Sequence, residues 1–211
     1  MDGVSKGLLL SARHCHFETG ERRPNDTFLT DEEYGRALDT LVKGCADVLI
    51  TYGNKILLGR RNVEPAKDAP WFIGGRIKVG DTVSMAARKN MLRETKLDID
   101  EDRFEFVCTS TQVWGRRKQA PCENGTADVI VVSTVEINDE EKGRIEMLNT
   151  EYDGYFWKTA EEILAGGEYH MALKVGVRAM NFNAKQNLLV EAIHSNGSDE
   201  EIASLARNLY A

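Results

Sequence analysis

The chain has 211 residues, with 27 Lys and Arg against 34 Asp and Glu and a formal net charge of −7. Its 42% hydrophobic and 29% charged residues supply enough apolar side chain for a filled core, which excludes wholesale disorder. The acidic balance argues against a sequence-independent nucleic-acid binder, which needs a positive surface, but leaves room for a local basic pocket.

No apolar run approaches the roughly 20 residues of a membrane helix. The opening Met1–Gly7 lacks the pattern of a secretory signal. Four dispersed cysteines, Cys15, Cys45, Cys108 and Cys122, form no C-x-x-C pair. Together these features predict a cytoplasmic protein with free thiols.

In chain order, Leu8-Leu9-Leu10 reads as a short strand or packed segment, followed by a polar loop. Thr30 with Glu33 forms a capping box, predicting a helix to about Val42 with Tyr34, Ala37, Leu38 and Leu41 on one face. Ala46–Thr51, the turn Tyr52-Gly53-Asn54 and Lys55–Gly59 predict a hairpin. Trp71-Phe72-Ile73 is a short strand running into Gly74-Gly75. A helix is predicted from Thr82 to about Lys96, with Val83, Ala86, Ala87 and Met91 as its buried stripe.

Strands are predicted over Phe104–Val113 and Ala127–Val135, joined by a polar loop over 114–126. Asp139–Leu148 is a loop or helical segment, Gly154–Trp157 a strand, and Thr159–Leu164 a short capped helix. Two further helices are predicted over Ala184–His194 and after Ser198, which caps with Glu201.

The chemistry concentrates between Trp71 and Leu97. A diglycine between a strand and a helix lets backbone approach a phosphate or a metal closely. The helix then presents Asn90, Arg93 and Glu94 on one face, at i, i+3 and i+4. A loop carbonyl plus a helix carboxylate is a platform for Mg²⁺, which takes oxygen ligands and keeps waters and substrate phosphates as the others.

This segment resembles the Nudix hydrolases, whose box reads G-x5-E-x7-R-E-U-x-E-E-x-G-U, with U aliphatic. At those places the chain has Gly75, Asp81, Lys89, Asn90, Met91, Arg93, Glu94, Lys96 and Leu97. Asn90 and Arg93 stand where the family has metal-binding glutamates, so Glu94 alone remains of the carboxylate trio. The region is also similar to the GDP-mannose mannosyl hydrolases, a branch with a reduced box. The likeness rests on Leu57-Leu58-Gly59-Arg60-Arg61, Trp71-Phe72-Ile73-Gly74-Gly75-Arg76 and Glu151-Tyr152-Asp153-Gly154-Tyr155-Phe156-Trp157.

The resemblance implies an α/β fold, a Nudix-type mixed β-sheet sandwiched between α-helices. It implies a Nudix domain over 30–167, with an N-terminal extension over 1–29 and a helical extension over 168–211 packed on the same domain. The implied activity is Mg²⁺-dependent hydrolysis of a nucleoside diphosphate sugar such as GDP-mannose or GDP-glucose, releasing GDP and free sugar. Mn²⁺ is the alternative metal. The amphipathic terminal helices, independently of the resemblance, make a homodimer the expected assembly.

The implied metal ligands are Gly74 through its carbonyl, Glu94 and Glu151. Arg61, Arg76 and Lys89 would neutralise the leaving diphosphate, and Glu151 joins them as a catalytic candidate. Tyr152 stands where that branch has a histidine base, and a phenol with pKa near 10 is a poor base at neutral pH. Attack at phosphorus, or a non-catalytic nucleotide-sugar-binding module on a decayed box, are the competing functions.

Blander readings stand beside these. Lys89 also reads as a solvent-facing helix lysine, and Glu151 as a loop acid before a strand. Trp71 and Trp157 read as core or pocket wall, whereas Trp114, at the start of the long loop, is a candidate wall for a base pocket. Arg116-Arg117-Lys118 reads as a solvated loop cluster, and His14-Cys15-His16 lacks the second ligand pair a zinc site needs.

Overall fold

The computed structural model describes residues 16–17, 19–21, 28–148 and 151–209. The segments Leu8–Leu10 and His14-Cys15 lie outside them. Elements run α1 (Asp31–Leu38), β1 (Lys43–Tyr52), β2 (Lys55–Arg61), β3 (Pro70–Trp71), β4 (Ile73–Arg76), α2 (Val83–Thr95), β5 (Glu105–Trp114), β6 (Thr126–Glu136), α3 (Asp139–Gly143), β7 (Tyr152–Thr159), α4 (Ala160–Ala165), α5 (Met171–His194) and α6 (Asp199–Asn208).

The seven strands form one mixed sheet. Its path is β3-β2-β1-β6-β5, with β4 added to β1 and β7 to β2. Among the described residues, only β1 and β6 pair in parallel. The hairpin of β1 and β2 pairs over just three residues, Ile50–Tyr52 with Lys55–Leu57. Gly53 turns it with φ at 56°, where a glycine adopts the left-handed region without a Cβ clash. The two strands then part. β4 takes over the edge of β1, matching Val48 with Ile73 and Cys45 with Arg76, while β3 takes over β2 at Gly59 and Trp71. This split brings the diglycine onto the flank of β1.

Alternation along β1 feeds two cores. Ala46, Val48 and Ile50 face α2, where Val83, Ala86, Ala87 and Met91 are buried as the helical stripe requires. Cys45 and Leu49 face the other way, with Trp71, Phe72, Ile130, Val132 and the α5 residues Leu173 and Val177. The sheet is thus packed by helices on both faces. No helix among the described residues is long and apolar enough to cross a membrane.

Three expectations are corrected. First, α1 ends at Leu38 rather than near Val42, leaving Leu41 64% exposed. Its end is tied down by Asp39, whose carboxylate pairs with Arg117 Nη1 at 2.7 Å and accepts from Asn124 Nδ2 at 2.9 Å. The chain must then turn to enter β1 at Lys43.

Second, the helix predicted from Ala184 begins at Met171 and runs 24 residues. Its first half hides in the sequence because Gly176 lowers helix propensity. A Cβ there would lie 2.9 Å from Phe72 Cζ, so the glycine lets the helix approach the sheet. Third, Arg117 is a fully buried loop anchor, not a solvated charge. Its guanidinium donates to the carbonyls of Gln119 at 3.0 Å and Gly125 at 3.1 Å.

Candidate functional site

Where β1 and β2 part, a cavity of about 230 Å³ opens between the diglycine, the end of β2, Trp114 and the start of β7. Arg61, Gly74, Arg76, Trp114 and Glu151, five of the residues singled out in the sequence, line it. Glu94 lies behind the diglycine, fully buried. Lys89 is not on the cavity wall. Its ammonium pairs at 2.6 Å with Oδ1 of Asp81, in the loop before α2, and its side chain is 55% exposed.

Arg61 ends β2 and is held from two sides. Its Nε donates to Pro65 O at 2.8 Å, and its Nη1 lies 3.3 Å from Glu151 Oε2. Its guanidinium stacks over the Tyr152 ring at 5.6 Å. Arg76 ends β4 and lies over the Tyr34 ring at 5.1 Å, its head open to solvent. The two arginines, Arg61 tethered and Arg76 open to solvent, therefore present two cations at one cavity from different strands, an arrangement suited to an anionic ligand.

Tyr152 occupies the place of the expected histidine and is 1% exposed. Its hydroxyl donates to Phe72 O at 2.8 Å. Burial holds the phenol well above its ordinary pKa, so it stays neutral and is no base. Its ring also fills the space beside Gly59, where any Cβ would collide with it. Tyr152→Phe is expected to keep turnover within about threefold while losing roughly 1–3 kcal/mol of stability, because Phe72 O is left without its buried donor. Steady-state rates and a urea melt on the same sample check this.

Sequence reasoning missed Asp47. It sits on β1 between Cys45 and Leu49, the one acid in the strand's row facing α5, and is 5% exposed. Burial pushes its carboxyl up to about 7, opposed less strongly by the Trp71 indole, whose Nε1 donates to Oδ2 at 3.3 Å, and by Arg61. Asp47 lines the cavity and approaches Gly74 so closely that a Cβ there would meet its Oδ1. The readable signal was a lone carboxylate in an otherwise apolar strand, Cys45–Ile50. Asp128, also missed, pairs with Lys43 at 3.2 Å and accepts from Trp114 Nε1 at 3.1 Å. This fixes the indole on the cavity wall, edge-on to Trp71 at 5.3 Å.

The expected Mg²⁺ ligands, Gly74 O, Glu94 and Glu151, are each engaged by a guanidinium, and Asn90 shares the one that holds the first two. Gly74 O accepts from Arg93 Nη2 at 3.2 Å, Asn90 Oδ1 from Nη1 at 2.9 Å, and Glu94 Oε1 from Nε at 2.7 Å. Glu151 is engaged by Arg61. Of the expected ligand oxygens, Glu94 Oε2 is buried without a hydrogen-bond partner. Among the described residues no group of three or more His, Cys, Asp or Glu is placed to hold a metal ion. The residues present do not fit a divalent cation in this arrangement, because a guanidinium occupies its donors. Burial raises the Glu94 carboxyl above its usual range, against the opposing pull of Arg93.

No protein-family model and no curated protein sequence matches the chain. Solved structures do. A MutT Nudix hydrolase from Burkholderia pseudomallei is similar with a TM-score of 0.54 at 14% identity, over 66% of this chain and 98% of that one. A MutT protein from Methanosarcina mazei has a TM-score of 0.55 at 14% identity, over 67% and 95%. A Nudix hydrolase from Nitrosomonas europaea has a TM-score of 0.53 at 14% identity, over 68% and 90%. The mixed sheet with helices on both faces, split between β1 and β2 to admit the diglycine, is accordingly a Nudix-type fold.

Proposed function

We propose that the cavity binds a nucleoside diphosphate sugar and hydrolyses it, with GDP-mannose or GDP-glucose as the substrate that the resemblance implies. The observation that carries this reading is the joint placement of Arg61 and Arg76 with the buried Asp47 carboxyl at about 7, all lining one cavity. Fixed cations stabilise the charge that builds on a departing diphosphate. A carboxyl tuned near neutrality is matched to accept the proton of an attacking water. Trp114, held by Asp128, offers an aromatic edge for the base. Exposed apolar positions on α5, among them Met171, Leu188 and Ile193, support the homodimer as part of this reading. A small soluble substrate accords with the expected cytoplasmic location.

Water attacks the anomeric carbon in this proposal, and the carbon–oxygen bond to the diphosphate breaks with GDP leaving as the anion held by the arginines. Attack at carbon asks less of the nucleophile than attack at phosphorus, because the developing oxocarbenium ion is itself electrophilic. Hydrolysis in ¹⁸O-water is expected to label the sugar and leave the nucleotide unlabelled by mass spectrometry. Label in the released phosphate would replace this reading with attack at phosphorus. Binding without any product would establish the non-catalytic module, a reading favoured by the guanidinium among the donors of the box.

A further inference from the structure

We infer that Arg93 is the resident cation of this cleft: its guanidinium fills the seat between Gly74, Asn90 and Glu94, excludes a divalent metal from it, and faces the diphosphate of the ligand together with Arg61 and Arg76. The last part rests on the nucleotide-sugar reading; the first two do not.

The geometry is that of a planar fork saturated on its inner side. Three nitrogens of one guanidinium reach three acceptors, the β4 carbonyl of Gly74 at 3.2 Å and, on α2, Asn90 Oδ1 at 2.9 Å and Glu94 Oε1 at 2.7 Å. Asn90 is itself buried and fixed by its Nδ2, which donates to Ala46 O at 3.3 Å on β1. The fork is therefore anchored to two strands and its own helix. Such directional, charge-assisted contacts suit a guanidinium and not a point-charge ammonium.

A second, independent feature makes room for it. A Cβ on Gly75 would stand 2.8 Å from Arg93 Nη2 and 3.2 Å from Asn90 Oδ1. The second glycine of the pair is thus the opening through which the guanidinium reaches the strand. Arg93 still lines the cavity, and its side chain is 46% exposed, so its outer side remains available to a ligand.

The charges agree with this placement. Glu94 is fully buried, and Arg93 neutralises it. A divalent ion bound through Gly74 O and Glu94 would stand against the guanidinium already on Gly74 O and Glu94 Oε1, and like charges that close repel strongly. A metal would then find a single buried carboxylate where hard cations gather several oxygens.

The test titrates Mn²⁺ into the full chain and follows free Mn²⁺ by electron paramagnetic resonance. Wild type is compared with Arg93→Glu, which restores a carboxylate at the box position, and with Arg93→Ala, which vacates the seat without adding charge. Wild type is expected to leave Mn²⁺ free, and at least one folded variant to bind it about tenfold or more tightly. GDP binding by wild type, followed through the fluorescence of Trp71 and Trp114, is expected to be unchanged within about twofold when EDTA replaces Mg²⁺. GDP affinity should fall about tenfold in Arg93→Ala.

Wild type binding Mn²⁺ as tightly as the variants overturns the inference, as does loss of GDP binding on chelation. Folded variants that also leave Mn²⁺ free overturn it too, because Arg93 would then not be what excludes the ion. If the Mn²⁺ results hold and neither GDP nor UDP binds, the cation seat is supported and the nucleotide-sugar reading is the one that fails.

Discussion

Asp47→Asn is expected to lower turnover by about 10²–10⁴-fold, the usual contribution of a positioned general base. The amide keeps the size of the side chain and still offers an oxygen to the Trp71 indole, which donates to the carboxylate at 3.3 Å in the native chain. What it loses is the capacity to take a proton. The wild-type rate should rise through about pH 7, where the buried carboxyl ionises, and level off above it. The residual rate of the variant should lack that limb.

Stability moves the other way. The native carboxyl ionises at about 7 against an ordinary 3.8, so the folded state holds a proton that the unfolded chain has released. Between those values stability therefore falls as pH rises, and the full penalty is present above about 7. At about pH 8 the Asn variant should be more stable than wild type by roughly 1–3 kcal/mol, whereas near pH 3 the two should converge. Thermal melts across this range check the sign. A variant that is both active and less stable at neutral pH would remove Asp47 from the proposed chemistry and make it an ordinary buried acid.

Arg76→Ala is expected to weaken GDP binding about tenfold to a hundredfold, the loss of one charge-assisted contact to a phosphate. Its head is open to solvent over Tyr34, so little else depends on it and the melting temperature should hardly move. Arg61 asks for a different variant. Its guanidinium also tethers Pro65 O and Glu151, and truncation to Ala would loosen the segment after β2 as well as the ligand. Arg61→Lys keeps the charge and loses the fork, and should impair GDP binding more than folding. Calorimetric titration separates the two effects. Unchanged GDP affinity in both variants would return these arginines to a structural and a surface role.

Much of the frame was legible in the residues because periodicity reports which side of an element is buried. The stripe Val83, Ala86, Ala87 and Met91 placed α2 on the sheet, and all four are buried. The capping pairs Thr30 with Glu33 and Thr159 with Glu162 set helix starts, since each closes within four residues. The hairpin turn at Gly53 and the strand–diglycine–helix order are equally local, and they led to the Nudix-type fold that the solved structures share.

The destinations of long charged side chains were not local. Lys89, Arg93 and Arg117 are alike in sequence as basic residues of a helix or a loop. One pairs with Asp81 in the loop before α2, one reaches back to Gly74, and one is buried against loop carbonyls. Each outcome depends on acceptors supplied by another segment. The same holds for Asp47, whose unusual ionisation comes from burial as β4 and Trp71 close over it. The sequence by itself determined the layers and the stretch that carries the site. Tertiary structure decided which groups face the cavity, because a side chain's charge, partner and accessibility belong to its surroundings and not to its spacing.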